Sequence, residues 1–227
     1  GSLLFPFPSL FRSFSDAIYL QFPPPDYSLR WYEKYFSRAD WTGPTITSFQ
    51  VGAITMVVAT LIGTLASLAI VRSDFPGKRI VLGLLLSPII VPTIILAIAL
   101  YYFFARYGLI GSKVGLVLAH TVLAVPYVIV VVSASLERID FSLEQAAWTL
   151  GAGKIKAFVK VTLPLMRPAV LTAALFSFLA SFDEVVIAIF ISGTSAITLP
   201  KKMWDGIREE IEPTIAAVAA LLIALSL

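Results

Sequence analysis

Four long apolar stretches limit what this chain can fold into. They cover residues 46–71, 80–105, 114–136 and 169–191, and a fifth apolar run begins near residue 213. Each of the four can cross the hydrocarbon layer of a membrane, which takes about 20 mostly apolar residues in a helix. A helix is expected because the backbone inside lipid must satisfy its own hydrogen bonds. The sequence therefore predicts an all-α fold, a polytopic transmembrane helical bundle.

The composition excludes several other classes of protein. The chain is 58% hydrophobic and only 14% charged, whereas soluble domains carry about 25% charged residues. A water-soluble fold of 227 residues cannot bury so much apolar surface, so we expect the lipid bilayer as its solvent. The absence of cysteine excludes disulfides and thiolate chemistry. The small net charge of +3 is scattered, and no nucleic-acid partner is expected.

The chain is predicted to have two parts. Residues 1–45 are interpreted as the end of a truncated first helix, at 3–11, followed by a polar periplasmic segment. That segment carries an aromatic cluster typical of the headgroup level of a membrane, formed by Trp31, Tyr32, Tyr35, Phe36 and Trp41. Residues 46–227 are interpreted as the transmembrane domain, with a last helix that is also truncated.

Small residues and prolines mark positions inside the spans. Gly63 and Ser67 are four residues apart, a spacing that favours close contact between helices in a membrane. Pro88, Pro92 and Pro126 are expected to kink their helices. Lys and Arg are almost equally numerous on the two sides of the predicted topology, so the positive-inside rule leaves the orientation open.

The polar segment 137–168 lies between two spans and predicts a helix–turn–helix at the membrane surface. Ser142 is expected to cap the first helix, since Gln145 follows at capping-box spacing. Gly151 ends that helix, and a second short helix is expected over 154–161. An amphipathic hairpin resting on lipid headgroups would have the same periodicity, so the pattern alone leaves both interpretations open.

The spacing within this segment resembles the signature of membrane-spanning permease subunits of type I ATP-binding-cassette importers. That signature is Glu-Ala-Ala, three residues, Gly, nine residues, an aliphatic residue, one residue and Leu-Pro. The chain matches it with Ala146, Ala147, Gly151, Val161, Leu163 and Pro164. Gln145 stands where the family has Glu, and Glu144 comes one position earlier. Which of these two side chains makes the acidic contact is open.

The resemblance implies that this segment is a coupling helix seated in a groove of a separate ATPase subunit. The residues that it assigns to ATPase coupling are Glu144, Gln145, Ala146, Ala147, Gly151, Phe158, Leu163 and Pro164. Their chemistry suits that role. Small alanines permit close approach, Gly151 supplies a turn that a side chain would block, and Phe158 offers an apolar anchor.

Other tracts extend the resemblance over nearly the whole chain. FPPPDYSLRWYEKYF, SFDEVVIAIFISG and LPKKMWDGIREEIEPTIAAVA are similar to the second permease component of spermidine/putrescine-type transporters. The resemblance implies the type I importer permease fold, a multi-pass location in the bacterial inner membrane, and transport of a small polyamine-like cation. It implies four partners besides lipid: a homologous second permease subunit, two ATPase subunits and a periplasmic substrate-binding protein. Related permeases handle opines, amino-acid derivatives or ferric iron, so the substrate stays open.

Asp183 and Glu184 are the candidate residues of the substrate pathway. They lie within a predicted span, where ionisable groups are costly and usually face a cavity or a partner. They could line the path of a cation, or they could form an interhelical hydrogen bond with His120 or Tyr127. His120 is the only histidine and is interpreted as structural, since a metal site needs several ligands. Trp204 and the acidic run Glu209, Glu210 and Glu212 could contact a binding protein, or they could lie on a solvated loop.

The sequence carries no phosphate-binding loop. The motif G-x-x-x-x-G-K-[ST] is absent, and Gly153-Lys154 is followed by Ile155 rather than by Ser or Thr. No catalytic residue, cofactor or metal site is therefore expected, and ATP hydrolysis is expected on another chain. The alternative function is a secondary transporter or channel subunit driven by an ion gradient. Such a protein is expected to show inverted repeats, and no internal repeat is found in the sequence.

Overall fold

The structure is a computed structural model that describes residues 27–209 and 214–226. The predicted all-α fold is confirmed. Its helices are α1 (Arg30–Ser37), α2 (Ala39–Arg72), α3 (Lys78–Ile90), α4 (Thr93–Ala105), α5 (Lys113–Arg138), α6 (Ser142–Thr149), α7 (Lys154–Ala157), a π-helical turn (Phe158–Thr162), α8 (Leu163–Phe182), α9 (Val186–Ile191), α10 (Leu199–Glu209) and α11 (Thr214–Ser226). The predicted helix remnant at 3–11 and the fifth run's start at residue 213 lie outside the described residues.

The chain forms two compact units. One comprises Gly1–Ser48 and Ala196–Leu227, and the other comprises Phe49–Ser195. The second unit contains the segment 137–168 together with Asp183 and Glu184, so it holds every residue of the two candidate sites.

In the first unit, the aromatic cluster is largely internal. Trp31, Tyr35 and Trp41 are buried, whereas Phe36 is exposed. Residues 31 and 35 are four apart and therefore share one face of α1. Tyr35 Oη lies 2.8 Å from Thr45 Oγ1, which gives the buried phenol a hydrogen-bond partner. Three of the five aromatic residues of the expected headgroup belt are therefore packed inside the unit.

Among residues 27–209 and 214–226, three helical runs are long and apolar enough to cross a membrane: α2, α5 and the continuous run Lys154–Phe182. The pair α3–α4 is a fourth if it is counted as one span, but it bends by 107°. Pro92 explains this break because it has no N–H and disfavours helical geometry in the residue before it. Val91 accordingly has φ −73° and ψ 130°. Pro88 and Pro126 lie inside helices that continue past them.

The predicted span 169–191 is wrong at both ends. The helical run starts earlier, at Lys154, and ends at Phe182. It passes through the π-helical turn, in which the N–H of Leu163 bonds to the carbonyl of Phe158, five residues back. Pro164 follows directly and has no N–H, so regular α-helical bonding is already incomplete there. Asp183 therefore lies at a helix break instead of inside a continuous span.

The core of the second unit is built from α2, α5 and α8. Its buried members are Ala59, Ile70, Ala124, Val125, Val128, Ile129, Val132, Leu136, Met166 and Ala173. The predicted small-residue face is confirmed at Gly63, where an added Cβ would lie 2.5 Å from Val128 Cβ. The Ser67 hydroxyl donates to the carbonyl of Gly63 in the same helix, at 2.8 Å. Its side chain therefore takes up little room between α2 and α5. Gly63 thus sets how closely α2 approaches α5.

Replacing Gly63 by Ala should destabilise the protein by about 1–3 kcal/mol, the usual cost of forcing atoms into a packed core. The cause is the 2.5 Å approach to Val128, which is fully buried and cannot move aside. Unfolding of the purified protein in detergent measures the loss. The matched control is Gly83→Ala in α3, where nothing lies within 4 Å of the new Cβ. Equal losses in both variants would contradict the close-packing explanation.

Candidate functional site

The polar segment between α5 and α8 folds into the predicted helix–turn–helix. The expected cap was wrong: Ser142 is the first residue of α6 and does not precede it. The carboxylate of Asp140 takes the capping role, since its Oδ1 accepts from the N–H of Ser142 at 2.9 Å. This hydrogen bond lowers the pKa of the Asp140 carboxyl below its ordinary value, because it stabilises the charged form. Asp140 thus fixes where α6 begins.

The end of α6 is set by Gly151, which has φ +85°. The N–H of Gly151 bonds to the carbonyl of Trp148 at 2.9 Å, and that of Ala152 bonds to the carbonyl of Ala147 at 3.0 Å. This pair of bonds is a Schellman motif, which requires a left-handed residue at the position of Gly151. Nothing lies within 4 Å of a Cβ added there, so the constraint comes from the backbone and not from crowding.

Large apolar side chains stand on the outer surface of the hairpin. Leu150 is 88% exposed and Ile155 is 82% exposed, and they flank the turn. Leu143 and Val159 are exposed as well. We call these four residues the docking face. Sequence reasoning did not single them out, although two aliphatic residues beside a glycine turn in a polar segment are an available signal.

The residues assigned by resemblance fall on both sides of the hairpin. Gln145, Ala146 and Gly151 are exposed, and Ala147 is half-buried. Phe158 and Leu163 are partly buried and pack against the core of the second unit, so the expected anchor Phe158 points inward. Pro164 is half-buried at the start of α8. The docking face therefore forms the outer surface around the turn, whereas Phe158 packs the hairpin against the membrane-spanning helices.

Glu144 and Gln145 occupy different environments. Gln145 is exposed, whereas Glu144 is only 8% exposed. The Oε1 atom of Glu144 accepts from Thr162 Oγ1 at 2.6 Å and lies 3.2 Å from Nη2 of Arg72. Arg72 also stacks on the ring of Phe141, with its Cζ 4.7 Å from the ring centroid. Sequence reasoning missed Arg72, which it counted only as a loop charge.

The second candidate site lies at the break after α8. Both oxygens of the Glu184 carboxylate accept from the N–H of Ile187, at 3.2 Å each, so Glu184 caps α9. Asp183 is exposed, and its side chain has no hydrogen bond or ion pair among the described residues. His120 bonds instead to Ser181 Oγ at 2.8 Å through Nδ1. Within the part of the chain that the structure describes, the alternative of a hydrogen bond from this pair to His120 or Tyr127 is not realised.

A protein-family comparison covers most of the chain. Residues 37–227 match the family described as "Binding-protein-dependent transport system inner membrane component". The chain belongs to this family. It is therefore a permease subunit of an ATP-driven, binding-protein-dependent importer and a multi-pass protein of the inner membrane. The family match supports the importer permease and not the alternative, a secondary transporter or channel subunit driven by an ion gradient.

Individual relatives are similar over most of their length. The chain is 33% identical to the spermidine/putrescine permease protein PotC of Haemophilus influenzae, over 88% of the chain and 78% of PotC. It is 32% identical to the putrescine permease protein PotI of Escherichia coli, over 87% of the chain and 73% of PotI. It is 34% identical to the trehalose permease protein SugB of Mycobacterium tuberculosis, over 78% of the chain and 66% of SugB.

One solved structure has the same fold. A bacterial ABC transporter involved in the import of the acidic polysaccharide alginate matches 99% of this chain and 85% of its own chain, with a TM-score of 0.78. The sequence identity is 13%, so this likeness shows the fold and not the substrate.

Replacing Gly151 by Ala should cost about 1–2 kcal/mol, the strain of placing an ordinary residue in left-handed geometry. The loss should be local to α6, and faster hydrogen exchange of its amides measures it. Gly153→Ala is the matched control, because Gly153 has φ −68° and nothing lies within 4 Å of its new Cβ. Similar exchange in both variants would show that the turn does not depend on glycine at 151.

Proposed function

We propose that the α6–α7 hairpin docks a separate ATPase subunit, and that this permease carries a small polyamine-like cation. The observation that carries the docking proposal is the exposure of four large aliphatic side chains in the polar segment of a membrane protein. Burying Leu150 and Ile155 against a partner would contribute about 1.5–3 kcal/mol each. Such anchors beside a tight turn suit insertion into a groove.

Charge surrounds the docking face. Lys154, Lys156 and Lys160 are exposed on or beside α7. They favour a partner groove with an acidic rim, since complementary charge around an apolar centre steers association. The chain has no phosphate-binding loop, so an ATP-driven permease of this kind needs an ATPase partner. As in the family, we propose two ATPase subunits, a homologous second permease and a periplasmic binding protein as the complete importer.

The binding protein would meet the other side of the membrane. In the first unit, α10 exposes Trp204 and Ile207, which are three residues apart and share a helix face. An exposed Trp beside an aliphatic residue is typical of an interaction surface. We propose this face as the contact for the substrate-binding protein.

Asp183 supports a cationic substrate. Its carboxylate stands at the C-terminal end of α8, where the helix dipole disfavours negative charge. No Lys, Arg or His side chain among the described residues pairs with this carboxylate. The position of Asp183 therefore does not stabilise the helix. Relatives at similar identity are named for polyamines and for trehalose, but a neutral sugar needs no free carboxylate. A polyamine ammonium group would pair with Asp183.

The docking proposal predicts that Leu150→Asp abolishes capture of the ATPase subunit and ATP-dependent uptake in proteoliposomes. A carboxylate at the apolar centre of the contact would be desolvated without a partner, which costs several kcal/mol. Leu150→Met is the matched control, because it keeps an apolar side chain of similar volume. Co-purification of the ATPase and radiolabelled putrescine uptake are the two measurements.

Two outcomes would overturn the docking proposal. Normal ATPase capture by Leu150→Asp would show that the docking face is not the contact with the ATPase. Undiminished wild-type uptake without ATP and without an ATPase subunit would exclude the importer mechanism for this chain.

The pathway proposal predicts that Asp183→Asn lowers uptake of putrescine by about tenfold, which corresponds to about 1.4 kcal/mol of lost cation binding. Assembly with the other subunits should persist, since Asp183 makes no side-chain bond among the described residues. Glu184→Gln is the matched neighbour, because its amide oxygen still accepts from Ile187. If both variants transport as well as the wild type, the carboxylate is not part of the path.

A further inference from the structure

Glu144 joins three parts of the second unit through one carboxylate. It stands on α6, its ion-pair partner Arg72 is the last residue of α2, and Thr162 is the last residue of the π-helical turn that leads into α8. The contacts are 3.2 Å to Arg72 and 2.6 Å to Thr162. A single side chain on the hairpin is therefore bonded to the ends of two long helices.

The chemistry of this contact makes it hard to replace. Thr162 is fully buried and Glu144 nearly so, and the Arg72 side chain is 19% exposed. Nε and Nη2 of Arg72 are buried and have no hydrogen bond of good geometry among the described residues. Glu144 is the carboxylate in ion-pair contact with this guanidinium. Removing its charge would leave a cation poorly solvated at the end of α2.

The direction of the side chain separates Glu144 from the docking face. Leu150 and Ile155 are almost fully exposed, whereas the Glu144 side chain is 10% exposed. A side chain already paired with Arg72 and Thr162 offers little surface to another subunit. Gln145, the next residue, is exposed and can meet a partner.

We infer that Glu144 is a positioning residue that ties α6 to the ends of α2 and α8, so that a displacement of the docked hairpin moves both helices together. This inference rests on the proposed docking of the ATPase. Without the carboxylate, α6 would remain connected to the spans by its flanking chain segments and by packing, and it could shift without carrying α2. The ATPase would still bind, but the displacement of the hairpin would be transmitted poorly to α2 and α8.

The test uses the complete importer in proteoliposomes, with the number of substrate molecules transported per ATP hydrolysed as the readout. Glu144→Gln keeps the shape of the side chain and removes its charge. It should retain capture of the ATPase subunit, and transport per ATP should fall about tenfold, within the usual range of coupling between sites. Thr162→Val, which removes only the hydrogen bond, should change the ratio in the same direction by a smaller factor.

A double-substitution cycle checks that Glu144 acts through Arg72. Glu144→Gln and Arg72→Gln each break the same ion pair, so the double variant should lose little more than the worse single variant. Gln145→Ala is the matched control on the exposed side of α6. It should weaken capture of the ATPase subunit, which Glu144→Gln should leave intact.

Three results would overturn the inference: an unchanged ratio in Glu144→Gln and Thr162→Val, a loss of ATPase capture in Glu144→Gln as large as in Gln145→Ala, or additive losses in the double variant. If the wild type itself shows no ATP-dependent uptake, the proposed function fails together with the inference. ATP-dependent uptake by the wild type with an unchanged ratio in Glu144→Gln contradicts the inference alone.

Discussion

The need to satisfy backbone hydrogen bonds away from water governs this molecule. It makes the apolar stretches helical. It also means that each interruption of a helix at membrane depth must face protein or water. Two interruptions occur in the second unit: the 107° bend at Pro92 and the break around Asp183. The second places an exposed carboxylate where a cation could reach it.

The α6–α7 hairpin has two distinct surfaces. Its outer surface presents Leu150 and Ile155 beside a left-handed glycine turn, whose geometry is held by backbone bonds. Its inner surface carries Glu144, bonded to the ends of α2 and α8. In the proposed importer, the outer surface would meet the ATPase and the inner surface would transmit its displacement to the spans. Neighbouring residues 144 and 145 lie on different surfaces because successive side chains on a helix point about 100° apart.

The sequence was sufficient for the class of fold, the family resemblance and the close contact at Gly63, because hydrophobic length and residue spacing are local properties. It was insufficient where a contact joins distant positions. The bond from Glu144 to Thr162 and the ion pair with Arg72 depend on three helices meeting. The limits of the predicted span 169–191 failed for a related reason: the helical run begins at Lys154, continues through the π-helical turn and Pro164, and ends at Phe182. The inward direction of Phe158 likewise depends on a core that no local pattern displays.

The π-helical turn has a consequence for how such a chain can vary. A π-helical turn closes its hydrogen bonds over five residues, whereas an α-helix closes them over four and advances about 100° per residue. Phe158–Thr162 therefore sets the angular phase between α7, which carries Ile155, and α8. Deletion of one residue here must either change the winding of this turn or rotate Ile155 relative to α8. The length of this segment is thus a constraint of its own, independent of which amino acids fill it.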